Sequence, residues 1–231
     1  MKNRKIVFLR HGESQWNLEN RFTGWTDVDL TRKGQSEARL SGKKLKNEGF
    51  SFNLVYTSVL KRAEETMKIC LTNMQLSDIT IIKDWRLNER HYGALQGLNK
   101  EKTAQKYGGK QVLTWRRSYN TSPPKLDFDD SRHPRFEKKY NNLEPHQLPT
   151  SESLKDTTNR VLPLWDEMIA PNIHSGENIL IVAHGNSIRA LIKHIDKISD
   201  EKIIEVNVPT GIPLVYEFDN ELNTIKNYYL H

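Results

Sequence analysis

The sequence predicts an α/β fold: a doubly wound, mainly parallel sheet with helices on both faces and an irregular insertion over the functional site. Three observations carry this. Two short apolar runs rich in β-formers, Lys5 to Leu9 and Asn178 to Ala183, each stop at a His-Gly pair, as buried parallel strands do at their carboxyl ends. Strand-like and helix-like segments alternate along the rest of the chain. Its 231 residues include one cysteine, Cys70, so a hydrophobic core and no intramolecular disulfide must hold the fold. A chain of this length buries roughly 70% or more of its unfolded surface, enough for one domain over residues 1–231.

The elements follow in order. After the first strand, Thr31 to Glu48 reads as a helix whose narrow face of Gly34, Ala38, Ser41, Gly42 and Leu45 suits close packing. Leu54 to Thr57 is a strand. Val59 to Asn73 is a helix, with Val59, Ala63, Met67, Cys70 and Met74 on one face, which makes Cys70 a core residue. Ile79 to Ile82 is a further strand. Five of the nine prolines then fall within residues 118–150, among polar residues with no sustained period. Such a stretch reads as a lid, and the insertion as a whole, about residues 100–150, is expected to fold across the mouth of the site. Leu154 to Ile169 and Ser187 to Ile195 are helices flanking the second His-Gly strand, and Leu214 to Phe218 closes the pattern as a strand.

Composition narrows the function. The net charge is +6, with the basic excess in the first half and an acidic last third. Those basic residues are interleaved with acids, and no RNA-binding aromatic signature or zinc finger accompanies them. A small polyanionic substrate therefore explains the charge better than nucleic acid does. No apolar run approaches the roughly 20 residues of a membrane span, and the four apolar residues after Met1-Lys-Asn-Arg-Lys are too few for an export signal. A cytoplasmic protein without membrane or nucleic-acid partners is the expectation.

The eight histidines show no metal-ligand spacing, and the phosphate-binding, dinucleotide-binding and serine-hydrolase loop motifs are missing. What remains is histidine, arginine and carboxylate at strand ends. His11 lies between Arg10 and Gly12, where the glycine lets the chain turn and expose the imidazole. A neutral imidazole attacks phosphorus near pH 7 when arginines neutralise the phosphoryl oxygens. His184, before Gly185, ends the second strand and is aimed at the same place.

These motifs identify a resemblance. Leu9-Arg-His-Gly-Glu-Ser14 with Ala183-His-Gly185 resembles the histidine phosphatase superfamily. Asn20-Arg-Phe-Thr-Gly-Trp25, Tyr56 to Arg62, Arg86 to Asn99 and Trp115-Arg-Arg117 resemble its cofactor-dependent phosphoglycerate mutase branch, over nearly the whole chain from Ile6 to Leu230. The resemblance implies a glycolytic enzyme that interconverts 3-phosphoglycerate and 2-phosphoglycerate through a phosphohistidine, primed by 2,3-bisphosphoglycerate and needing no metal. It implies that His11 is the nucleophile, with Arg10, Asn17, Arg62 and His184 around the transferring group, and that Glu89 is the general acid/base. Like charge from neighbouring phosphates should push the Glu89 pKa up. Thr23, Gly24, Tyr92, Lys100, Arg116, Arg117, Gly185 and Asn186 would bind substrate. A homo-oligomer, dimer or tetramer, is also implied. Two rivals are a phosphatase of the same fold, with water as acceptor, and a basic nucleic-acid-binding protein that inherited the fold.

Overall fold

A computed structural model describes residues 4–231; Met1 to Asn3, part of the stretch read above for an export signal, lie outside the described residues. The first strand, β1 (Arg4–Arg10), runs into a short helix, α1 (Gln15–Leu18), and then α2 (Arg32–Asn47). Strand β2 (Leu54–Thr57), helix α3 (Lys61–Met74) and strand β3 (Thr80–Lys83) follow. Helices α4 (Lys100–Tyr107) and α5 (Gly109–Arg117) precede an irregular region with three single 3-10 turns. Then come α6 (Leu154–Leu164), α7 (Ala170–His174), β4 (Ile179–Ala183), α8 (Gly185–Ile195), β5 (Leu214–Phe218) and β6 (Thr224–Tyr229).

The six strands form one sheet in the order β3-β2-β4-β1-β5-β6. The first four are mutually parallel, and β5 and β6 add an antiparallel edge. Alternation along β1 splits the core in two. Ile6 and Phe8 join the face packed by α6 and α8, while Val7 and Leu9 join the face packed by α2 and α3. The small face expected on α2 is the buried one, Gly34, Ala38, Ser41, Gly42 and Leu45, and Cys70 is buried on α3 opposite it. Shortening Leu45 to alanine would cost about 2–5 kcal/mol at such a site.

Three expectations differ from what is seen. The 100–150 insertion begins with two helices, and α4 is started by Asn99, whose side chain accepts hydrogen bonds from the Glu101 and Lys102 N–H groups. Strand β6 is added at the sheet edge with only partial burial, which leaves no apolar run to read. The helix after Leu154 loosens into a π turn at Trp165–Ile169, two residues beyond Pro163, which cannot donate a backbone hydrogen bond.

Parallel pairing sets the site. Arg10 lies opposite Ala183 and Thr57 opposite Val182, so β1, β4 and β2 end together. The next residues, His11, His184 and Ser58, therefore meet at one sheet edge, and the His11 N–H donates to the Ala183 carbonyl at 3.0 Å. The chain leaves His11 through a close backbone crossing: a Cβ on Gly12 would lie 2.2 Å from the Gly34 carbonyl oxygen at the start of α2. Only glycine fits there.

Candidate active site

His11 is buried, and its Nδ1 sits 2.7 Å from the Gly12 carbonyl oxygen. A carbonyl only accepts, so Nδ1 carries the proton and Nε2 presents a lone pair. Arg62 Nε donates toward that Nε2 at 3.3 Å, and the rest of its guanidinium is fixed by the Thr26 and Gly24 carbonyls at 3.0 and 2.8 Å. Burial, then Arg62, then Arg10 hold the His11 pKa well below its ordinary value, so the ring stays neutral. His184 is held neutral in the same way, by burial and then Arg62 and His11. The two rings lie 5.0 Å apart.

Around them opens a cavity with about 710 Å³ of empty space. Its wall includes Arg10, Asn17, Thr23, Gly24, Arg62, Glu89, Tyr92, Lys100, Arg116, Arg117, Gly185 and Asn186, every residue named above for substrate, together with His11. His184 stands behind this wall, against His11. Arg116 and Arg117 both reach the cavity from the end of α5, and Lys100 reaches it from the first turn of α4. The wall also holds Arg21, Phe22, Arg189, Asn207 and Val208, which the sequence did not single out. Arg189 had one readable signal, its place one helical turn after Asn186. No signal marked Asn207 and Val208, which arrive from a loop before β5.

The insertion divides: Lys100, Arg116 and Arg117 bring its first part to the cavity wall, and no residue of 118–150 lines the cavity. That segment packs behind the Glu89 loop instead. Tyr140 accepts a hydrogen bond from Asn88 Nδ2 at 2.9 Å, and Arg132 donates to the Gln96 carbonyl at 2.9 Å. Residues 118–150 thus buttress the Glu89 loop, and their polar composition reflects a surface position. Trp115, flanking the arginines, packs partly buried beside Phe22, Leu95 and Val112 and edge-on to Tyr107.

The Glu89 loop is built on a buried ion pair. Arg160 binds Glu152 at 2.6 Å and donates to the carbonyls of Arg86, Asn88 and Glu89, while Glu152 accepts the His91 N–H at 2.7 Å. With its backbone fixed, Glu89 turns Oε1 toward three donors: the Arg90 N–H at 2.8 Å, the Asn186 N–H at 3.1 Å and Asn186 Nδ2 at 2.8 Å. Burial pushes its pKa up, but Arg10, these hydrogen bonds and Arg62 outweigh it and leave the group below its ordinary value. This is the direction for the site without phosphate, where the protein itself surrounds Glu89 with donors and cations; the upward push expected from neighbouring phosphates would act on top of it. Tyr92 Oη accepts from Arg90 at 3.2 Å and from Asn186 Nδ2 at 3.3 Å.

The wall is strongly cationic. Seven lining side chains, Arg10, Arg21, Arg62, Lys100, Arg116, Arg117 and Arg189, face one carboxylate, Glu89. Three polar atoms at or just behind the wall are buried without a protein partner, Arg10 Nε, Arg189 Nε and His184 Nδ1, which suits donors awaiting an anion. Asn17 Oδ1 is taken by the Ser14 N–H and hydroxyl, leaving its NH2 as the donor side. Among the described residues no group of three or more His, Cys, Asp or Glu has a metal-binding arrangement, and no helix is long and apolar enough to cross a membrane.

Comparison with known structures agrees with the fold. A mycobacterial glucosyl-3-phosphoglycerate phosphatase superposes with a TM-score of 0.71 at 22% identity, over 99% of this chain and 97% of its own. A putative alpha-ribazole-5'-P phosphatase from Escherichia coli gives 0.69 at 21% identity, over 100% and 97%. YhfR of Bacillus stearothermophilus gives 0.70 at 25% identity, over 95% and 93%. The sequence pattern of the histidine phosphatase superfamily (branch 1) matches residues 6–131 and 125–230. With that match spanning nearly the whole chain, and with His11 and His184 ending adjacent parallel strands, the chain belongs to the histidine phosphatase superfamily, branch 1.

Proposed function

We propose that this enzyme is a phosphoglycerate mutase, interconverting 3-phosphoglycerate and 2-phosphoglycerate through a phosphohistidine on His11. The observation that carries the reading is charge and placement in one cavity. Seven cations and one carboxylate exceed what a single phosphate requires. They suit a bisphosphate bearing a carboxylate, roughly −4 to −5 at −1.5 to −2 per phosphoryl group. When bound, 2,3-bisphosphoglycerate supplies the priming phosphoryl group, and the buried unpartnered Arg10 Nε and His184 Nδ1 fit a ligand of this kind.

In this reading His11 Nε2 forms the bond to phosphorus as the bond to the departing ester oxygen breaks. Arg10, Arg62, Asn17 and His184 stabilise the equatorial oxygens. Glu89 gives a proton to the departing oxygen and removes one from the hydroxyl that next attacks the phosphohistidine, so each cycle restores it. Lys100, Arg116 and Arg117 hold the carboxylate and the far phosphate. A cytoplasmic homo-oligomer, dimer or tetramer, acting without metal or nucleic acid, is part of the same proposal.

A phosphatase is the second reading, favoured by the phosphatase activities named for the structural relatives. The test is a coupled assay for 2-phosphoglycerate run beside phosphate release, with 3-phosphoglycerate and catalytic 2,3-bisphosphoglycerate. Isomer turnover exceeding hydrolysis, unchanged by a chelator, is expected. Phosphate release without 2-phosphoglycerate would overturn the mutase reading.

A further inference from the structure

Arg189 stands on α8 one turn beyond Asn186, with its guanidinium buried at the cavity wall. Nη1 donates to Asn186 Oδ1 at 2.9 Å. Nη2 donates to the carbonyls of Ile203 at 2.6 Å and Arg117 at 3.3 Å, which anchors the group from two other segments. A guanidinium has no acceptor, so Oδ1 is the only end of the Asn186 amide that can face it. The amide then has one orientation, with Nδ2 on Glu89 Oε1 at 2.8 Å and on Tyr92 Oη at 3.3 Å.

Rotating that amide by half a turn would set Oδ1 against Glu89 Oε1. Two acceptors at hydrogen-bond separation repel unless the carboxyl holds a proton between them. Amide orientation and the protonation of Glu89 are therefore linked. We propose that Arg189 is a positioning residue for proton transfer: it locks the Asn186 amide with its NH2 on the Glu89 carboxylate. Arg189 touches no reacting atom in this account, and its effect passes through Asn186 to the group that handles the proton. The inference rests on the reading of Glu89 as acid/base.

The experiment is a set of pH–rate profiles for wild type, Arg189→Met, Arg189→Lys, Glu89→Gln and the Arg189→Met/Glu89→Gln pair. Arg189→Met should lower kcat about 10-fold with KM within about threefold of wild type. Its acid limb of kcat/KM should move up by about one pH unit, the scale of one hydrogen bond to a carboxylate. Arg189→Lys, which keeps the charge and a donor for Oδ1, should bring the limb back toward wild type. In the Glu89→Gln background Arg189→Met should cost nothing further, because no carboxylate remains to be set. A raised KM with kcat and the limb unchanged would overturn the proposal and make Arg189 a direct anion ligand. Wild-type kcat in Glu89→Gln would instead overturn the reading beneath it. If Arg189→Met does not fold, Arg189→Gln, whose amide can accept from Asn186 Nδ2 as readily as donate to Oδ1 and so releases the lock, takes its place under the same criteria.

Discussion

Ser58 and His184 form a buried hydroxyl–imidazole pair, Oγ to Nε2 at 2.7 Å, at the ends of neighbouring strands. Ser58 Oγ also accepts the Leu60 N–H at 3.2 Å, and we infer that it gives its own proton to Nε2. Neutral His184 therefore carries its hydrogen on Nδ1, the atom without a protein partner beside His11. A donor fixed there before any ligand arrives suits an oxygen of a transferring phosphoryl group.

Removing that hydroxyl frees the tautomer. Ser58→Ala is expected to lower kcat by about 10-fold, Ser58→Thr to retain most activity, and His184→Ala to lose more than Ser58→Ala, on the scale of one preorganised donor. Nitrogen-15 imidazole shifts should report Nδ1 protonation in wild type and a mixture in Ser58→Ala. A wild-type tautomer and rate in Ser58→Ala would contradict the pairing.

Glu89→Gln keeps the shape of the side chain and removes its basicity. It should lower kcat by roughly 10²-fold or more with KM near normal. Because Arg10, the Arg90 N–H, Asn186 and Arg62 together hold the Glu89 pKa below its ordinary value, the acid limb of wild-type kcat/KM should lie below the usual carboxylate range. Phosphate bound nearby should raise that limb in the kcat profile. A limb at or above the ordinary carboxylate value in the free enzyme would contradict the geometry around Oε1.

The far cations should act on binding. Lys100→Ala and Arg116→Ala are expected to raise KM about 10-fold or more while kcat falls less, since neither contacts the nucleophile. Steady-state kinetics at two ionic strengths decides it, and a fall confined to kcat would place these side chains at the reacting centre.

Acid should destabilise the fold in a defined direction. His11, His91 and His184 all have lowered pKa values, His91 to about 3, each through burial first. Below an unfolded value of about 6.5 the unfolded chain binds protons that the native state refuses. Stability is therefore full above that pH and is lost as pH falls toward about 3, at about 1.4 kcal/mol per pH unit for each such histidine. His91→Gln, outside the cavity wall, should remove one proton's share of the slope measured by urea unfolding. A slope unchanged in that variant would show that His91 titrates alike in both states.

Much of the fold was legible because its signals are local. The His-Gly stops after β1 and β4 and the small face of α2 lie in continuous sequence, and parallel pairing did the rest by ending those strands together. What was missed depends on distant chain segments. Ser58 gains meaning only when β2 lies beside β4, and Arg189 only when Asn186, Arg117 and Ile203 converge. The lowered pKa of Glu89 in the free site had no local signal, because Asn186 and Arg10 reach it from other elements. Where residues 118–150 pack was not legible, because prolines and polar residues mark a surface segment without saying which surface.

The central claim is a phosphoryl group carried by His11 Nε2, and intact-mass measurement after incubation with 2,3-bisphosphoglycerate tests it most directly. The account predicts one added phosphoryl group on wild type, stable in alkali and lost in acid as a phosphohistidine is, and none on His11→Ala. A label retained by His11→Ala, or an unlabelled wild type that still interconverts the phosphoglycerates, would contradict it.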